Sequence, residues 1–212
     1  MQRFDYPLSA ERLRFDAELY LPADAELEEA GNVIRSHRAL DHGLGLLRVS
    51  WSDEGLFAFL GLLQELPGTT RNDSLGDSLL DCLDEDSNAS MNRLSAIACE
   101  NQQSLKCLIL EVKPADQEDP EDYYLARVYA AGMPPLLLID EGNYRIPTRS
   151  GIPLGISPDL EQPSQSLEWD RGGILHFHTD IAGVVNMETL HQDLISFQME
   201  QYQEAFHVRL TV

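Results

Sequence analysis

Two histidines and an aspartate, His176, His178 and Asp180, alternate along the string GGILHFHTDIAGVVN. On a strand, side chains repeat every two residues, so all three project from one face, as ligands of a transition metal such as zinc do. The same spacing also suits two structural histidines beside an acid on a partly exposed strand. Other catalytic signatures are missing. No GxSxG elbow or P-loop occurs, and Gly43–Leu47 (GLGLL) lacks the spacing and flanking helix of a dinucleotide fingerprint. Cys82, Cys99 and Cys107 are odd in number with no CxxC pair, which excludes a disulfide framework and a zinc knuckle and predicts free thiols in a reducing compartment.

The pattern around these residues predicts strands, then helices, then strands, a helix and a strand. Phe15, Ala17, Leu19 and Leu21 alternate with charged residues as a half-buried strand, ended by Pro22. Val33 to His37 and Leu44 to Val49, around Asp41, His42 and Gly43, read as a β-hairpin. The apolar residues of Gly55 to Leu66 cover most of a helical wheel, which predicts a buried helix stopped by Pro67 and Gly68. Leu75 to Asp84 and Met91 to Ala98 are helical by pattern, and Ser9 is placed to cap a short helix near the start. Strands follow at Leu105 to Val112, Tyr123 to Ala131, Leu136 to Ile139, Leu167 to Trp169 and Ile174 to His178, with a turn at Asp170 to Gly173. Met187 to Tyr202 reads as the last helix and Phe206 to Val212 as the closing strand. Hairpins stand where parallel strands would need helical crossovers, so the class is α+β with antiparallel sheets.

Residues 1–212 read as one domain, with residues 1–14 as an N-terminal extension; 43% apolar content suffices for one sizeable core. Thirty-six acidic residues against 15 basic ones give a formal charge of −21, which repels a nucleic-acid backbone and an anionic membrane surface. The start of the chain has no export-signal pattern, and no window offers the roughly 20 apolar residues of a membrane span. A cytoplasmic location is expected. The acidic stretches Asp24 to Glu29 and Asp116 to Asp122 read as solvated loops that would steer a basic partner.

Between Arg127 and Asn186 lie RVYAAGMPPLLLIDEGNY, RSGIPLGISPD and GGILHFHTDIAGVVN, in that order. They resemble the NAGHPPLLL, GxPLGI and GDxLLLYTDGVTE strings of the SpoIIE/RsbU branch of the PPM serine/threonine phosphatases. Asn92, Arg93 and Leu94 are similar to that family's LNxxL helix feature, and Met133 stands in place of its usual histidine. The resemblance implies a sandwich of two antiparallel sheets flanked by helices. In an active member it also implies two Mn²⁺ or Mg²⁺ ions on aspartates and a metal-bridged water attacking phosphoserine.

Carried over residue by residue, the family's GGDxYD string falls on Ala30 to Arg35 and puts Asn32 in the place of a metal-binding aspartate. DVSGHG falls on Ser50 to Gly55, with Ser50 for a second aspartate and a helix following. TDG falls on Thr179, Asp180 and Ile181, keeping the aspartate, and the terminal acidic pair falls near Ala205 and Phe206. An amide, a hydroxyl and one carboxylate are a weak set for a hard dication. The domain is therefore expected to be a pseudophosphatase that needs no cofactor and binds a regulatory protein, similar to the output domain of RssB-like response regulators in bacterial stress signalling. Two alternatives stay open. One is an active phosphatase using Asp180 with other acids such as Asp41 or Asp53; the other is a zinc-dependent hydrolase at His176, His178 and Asp180, whose string resembles the HxHxDH of metallo-β-lactamase-fold hydrolases.

Overall fold

A computed structural model describes residues 1–10, 13–84, 86–114, 123–140, 143–145, 149–157, 162–170, 172–179 and 205–212. In chain order these form β1 (Gln2–Ala10), β2 (Leu13–Leu21), β3 (Glu28–Ala30), β4 (Val33–Leu40), β5 (Gly43–Trp51), β6 (Leu56–Glu65), α1 (Leu75–Asp81), α2 (Ser87–Glu100), β7 (Gln103–Pro114), β8 (Tyr123–Ala131), β9 (Leu137–Asp140), β10 (Asn143–Arg145), β11 (Ser164–Asp170), β12 (Ile174–His178) and β13 (His207–Thr211). One sheet has the order β1-β2-β13-β12-β9-β10 and the other β11-β8-β7-β6-β5-β4-β3, with antiparallel pairing throughout both. The class is α+β, a sandwich of two antiparallel sheets, as expected.

Alternation builds the space between the sheets. Leu13, Phe15, Ala17, Leu19 and Leu21 of β2 point inward, as do Phe177, Val208 and Leu210 of the same sheet. They meet Leu47, Val49, Leu60, Leu62, Leu108 and Leu110 of the opposite sheet. Trp169 is fully buried there, stacked on Phe15 with ring centroids 5.1 Å apart. A second core lies on the outer face of the seven-stranded sheet, where Leu75, Leu79 and Leu80 of α1 and Met91, Leu94 and Ala98 of α2 pack on Leu46, Phe57, Phe59, Leu105 and Ile109. Each fully buried side chain of this kind contributes about 1.5–3 kcal/mol. The Asp86 carboxylate accepts a hydrogen bond from the Ala89 amide at 3.0 Å and so caps α2.

Two expectations are corrected. Gly55 to Leu66 is not a helix: Leu56–Glu65 is strand β6, paired with β5 on one side and β7 on the other. Leu56, Ala58, Leu60 and Leu62 face the other sheet while Phe57, Phe59 and Leu63 face the helices. A strand buried on both faces shows no alternation, and a run of leucines then mimics a helical wheel. Residues 1–10 are likewise neither a loose extension nor a capped helix. They form β1, in register with β2 from Gln2↔Leu21 to Ala10↔Leu13, and bury Leu8. The expected hairpin β4–β5, helices α1 and α2, strands β7, β8, β9, β11 and β12 and closing strand β13 are present. The Asp24 to Glu29 stretch is partly engaged, since Asp24 pairs with Arg38 and Glu28 with Arg35. The expected helix Met187 to Tyr202 and the acidic loop Asp116 to Asp122 lie outside the described residues.

Candidate functional site

β5 runs from Gly43 to Trp51, and each of its ends opens on a cleft. At the Trp51 end, β4 begins beside it: Val33 pairs with Ser50, and the Trp51 amide donates to the Asn32 carbonyl at 3.2 Å. Asn32 and Ser50 are thus brought together, in a cleft of about 650 Å³ that Trp51, Phe57, Asp84, Glu111 and Lys113 also line. Glu54, Asp84, Asp86 and Glu111 line it with Arg48 and Lys113, and three of the four acids have partners, Asp86 capping α2. Glu111 accepts from the Ser87 amide at 3.0 Å, and Asp84 pairs with Arg93, whose guanidinium holds its carboxyl below the usual range against the opposing effect of burial. Arg48 donates to the carbonyls of Leu80 and Leu83 at 2.8 and 2.9 Å, tying the end of α1 to the sheet. Its burial lowers its pKa.

Thr179, the last described residue before Asp180, is held by Phe206. The Thr179 amide donates to the Phe206 carbonyl at 2.9 Å, and the Phe206 amide donates to Thr179 Oγ1 at 3.0 Å. The Phe206 ring lies so close over Gly45 that a Cβ there would collide with it, beside Leu40. The residue that holds Thr179 is thus seated over Gly45, five residues or about 17 Å along β5 from Ser50 at the usual rise per residue. Asp180 itself is outside the described residues.

At that Gly43 end the residues are different. Asp41, His42, Gln64, Glu65, Arg71, Asp73 and Ser104 line a second cleft of about 670 Å³. Gln64 donates to the His42 carbonyl at 2.9 Å, and Glu65 pairs across the ladder with Gln103. Arg71 donates through Nε to Asp73 at 2.5 Å, through Nη2 to the second oxygen at 3.2 Å, and through Nη1 to the Leu40 carbonyl at 3.1 Å. The hydrogen bond to Asp73, with the fields of Asp73 and Glu65, raises the Arg71 pKa against its desolvation. The strand that leads into the helices is β6 and not β5, so no helix follows Ser50–Gly55 directly. Gln64, Glu65, Arg71 and Asp73 carried no signal in the sequence beyond the Pro67–Gly68 stop near them.

His176 and His178 do share the outer face of their sheet, and His207, opposite His178, joins them. The three rings lie 5.7–6.0 Å apart between centroids and are 3% exposed or less. His178 Nδ1 is 2.7 Å from the Thr179 carbonyl, which can only accept, so the proton is on Nδ1. Among the described residues His176 has no hydrogen-bond partner on either nitrogen, and burial, then His207, His178 and Arg209, hold its pKa well below the ordinary imidazole value. Among the described residues no three His, Cys, Asp or Glu side chains converge as metal ligands.

Residues 85–207, more than half of the chain, match the family model described as stage II sporulation protein E (SpoIIE). The chain belongs to the SpoIIE family. No curated relative matches it in sequence. Solved structures similar to this SpoIIE-family domain include RsbX in complex with magnesium, at a TM-score of 0.58 and 12% identity over 88% of this chain and 98% of that one. The PP2C phosphatase domain of SpoIIE from Bacillus subtilis, with a fragment of its regulatory domain, gives 0.57 and 12% over 92% and 61%. The RsbU and RsbW domains of a Mycobacterium tuberculosis protein give 0.53 and 16% over 92% and 60%. The SpoIIE-family domain has the PPM phosphatase fold.

That fold implies Mn²⁺ or Mg²⁺, and the donor chemistry tests the fit. A hard dication takes six or more oxygens, several of them anionic. Asn32 and Ser50 are neutral, the acids of their cleft include Asp84 paired with Arg93, Asp86 capping α2 and Glu111 bound to the Ser87 amide, Asp41 and Glu65 share their cleft with a guanidinium, and among the described residues no three acids converge. The described donor set of the SpoIIE-family domain does not fit a two-metal centre.

Proposed function

We propose that this SpoIIE-family domain is a pseudophosphatase, a cytoplasmic bacterial module that binds a regulatory protein of a sigma-factor or anti-sigma pathway, as a response-regulator output domain does, and does not turn over phosphoserine. One observation supports the reading: at the end of the sandwich where Asp41, Glu65 and Thr179 lie, the cleft carries Arg71, held by Asp73, among its carboxylates. A fixed guanidinium repels a dication and leaves fewer anionic oxygens to replace its waters.

The surface beside this cleft suits a protein partner. Ile152 and Ile156 are 49% and 54% exposed, on either side of Leu154, which is buried and bonded both ways to Leu105. The loop is thus fixed to the sheet while two apolar side chains face solvent. A partner segment with apolar residues flanked by basic ones complements both features.

Incubation with Mn²⁺ and an aryl phosphate or a phosphoserine peptide tests the reading. No turnover above a metal-only blank is expected. Turnover that disappears in Asp180→Ala overturns it and establishes the second reading, an active phosphatase, which the shared placement of Asp41 and Glu65 favours.

A further inference from the structure

We propose that a groove across the outer face of the seven-stranded sheet, at the Trp51 end of β5, docks an extended segment of a partner protein in which an apolar residue stands between basic and acidic ones. The cleft of about 650 Å³ that holds Asn32 and Ser50 and a neighbouring cleft of about 460 Å³ share Glu54, Glu111 and Lys113, so the two form one continuous channel. Its floor is a single row of cross-strand neighbours, Val33, Ser50, Phe57, Glu111, Arg127 and Ser166, on β4, β5, β6, β7, β8 and β11. At about 4.8 Å between strands the row is about 24 Å long, which about seven extended residues span. The groove lies at the other end of β5 from Asp41, so its occupancy does not depend on whether phosphoserine is turned over.

Charge is divided along the channel. Asp84 and Asp86 stand at the β4–β6 end, Asp53 and Glu54 of the β5–β6 turn lie in the middle, and Lys113 and Arg127 stand toward β8. Phe57 gives the floor an apolar stretch between the two signs, and Leu125, cross-strand neighbour of Lys113, is 48% exposed beside the cations. Arg127 faces Glu111 across the ladder, but that carboxylate is taken up by the Ser87 amide. Among the described residues neither Lys113 nor Arg127 forms an ion pair. A chain of formal charge −21 has carboxylates in excess, yet these two exposed cations are left without one. Acidic residues of a partner complement them, and basic residues at its other end complement the acids beside α2. The walls are fixed before anything binds: Arg48 ties the end of α1 to the sheet and Asp86 caps α2. Little ordering is then required of the groove itself.

Three synthetic peptides of one composition and no net charge are the probes: Lys-Lys-Ser-Leu-Ser-Glu-Glu, its reverse, and the scramble Lys-Glu-Ser-Leu-Ser-Glu-Lys. Amide NMR spectra of the full chain follow their binding. One of the two ordered peptides is expected to shift the amides of Val33, Ser50, Phe57, Glu111 and Arg127 saturably, with the scramble about tenfold weaker. Lys113→Glu/Arg127→Glu, at exposed positions, should keep its circular dichroism, lose about tenfold in affinity for that peptide, and prefer Lys-Lys-Ser-Leu-Ser-Lys-Lys. Equal binding of the scramble overturns the proposal, as do shifts confined to the Ile152–Ile156 loop or the Asp41 turn, or no saturable binding of either ordered peptide by about 5 mM. Shifts of the groove amides with protein concentration alone would assign the face to a second copy of the chain and overturn it too.

Discussion

Replacing His176 with phenylalanine should flatten the acid side of the stability profile. His176 is 2% exposed, with both ring nitrogens unpartnered among the described residues, and His178, His207 and Arg209 face it on the same sheet surface, with Glu18 paired to Arg209. Its folded pKa is depressed, so between that value and the unfolded value of about 6.5 the unfolded chain holds a proton that the folded chain does not. Stability is therefore intact above pH about 6.5 and is lost as pH falls, at up to about 1.4 kcal/mol per pH unit. Integrated from pH 7 to pH 5 for one histidine that stays neutral when folded, the loss is about 2 kcal/mol. Urea unfolding of wild type and His176→Phe at pH 7, 6 and 5 isolates this contribution, because every other titrating group is common to both proteins. The wild type should lose about 2 kcal/mol more than the variant across that interval. Parallel profiles would refute the assignment of a neutral, buried His176.

Two substitutions test the frame around the cleft. Gly155→Ala should destabilise the domain by at least about 1–3 kcal/mol, since φ is +84° and a Cβ would collide with the Gln103 carbonyl oxygen; the urea midpoint reads this directly. Asp86→Ala removes the cap of α2 and should cost about 0.5–2 kcal/mol in the same assay.

How much could be read from the residues alone depended on whether one face of an element meets water. β2 alternates cleanly because its outer face carries Arg14, Asp16 and Glu18, and it was legible. The turn at Asp41–Gly43 likewise marked the β4–β5 hairpin correctly. β6 has no such contrast, because the helices cover one face and the opposite sheet the other, and it read as a helix. The helix expected after Gly55 had guided the placement of the ligand strings on Asn32 and Ser50; the structure brings these two together at the Trp51 end of β5 and puts Asp41 at the other end. Arg71 was invisible for a different reason: its meaning comes from Leu40, which only the fold brings to it. The three motifs of the second half described the sheet elements they fall on, and the family match supports them.

The position of β13 between β2 and β12 governs how the domain comes to exist. Val208 pairs with Leu19 and with Phe177, so the β1–β2 hairpin has no inner neighbour until nearly two hundred further residues have been synthesised. Such long-range pairing makes for slow folding and for a nascent chain that waits with an open strand edge. Deleting residues 207–211 would remove an interior strand of the six-stranded sheet.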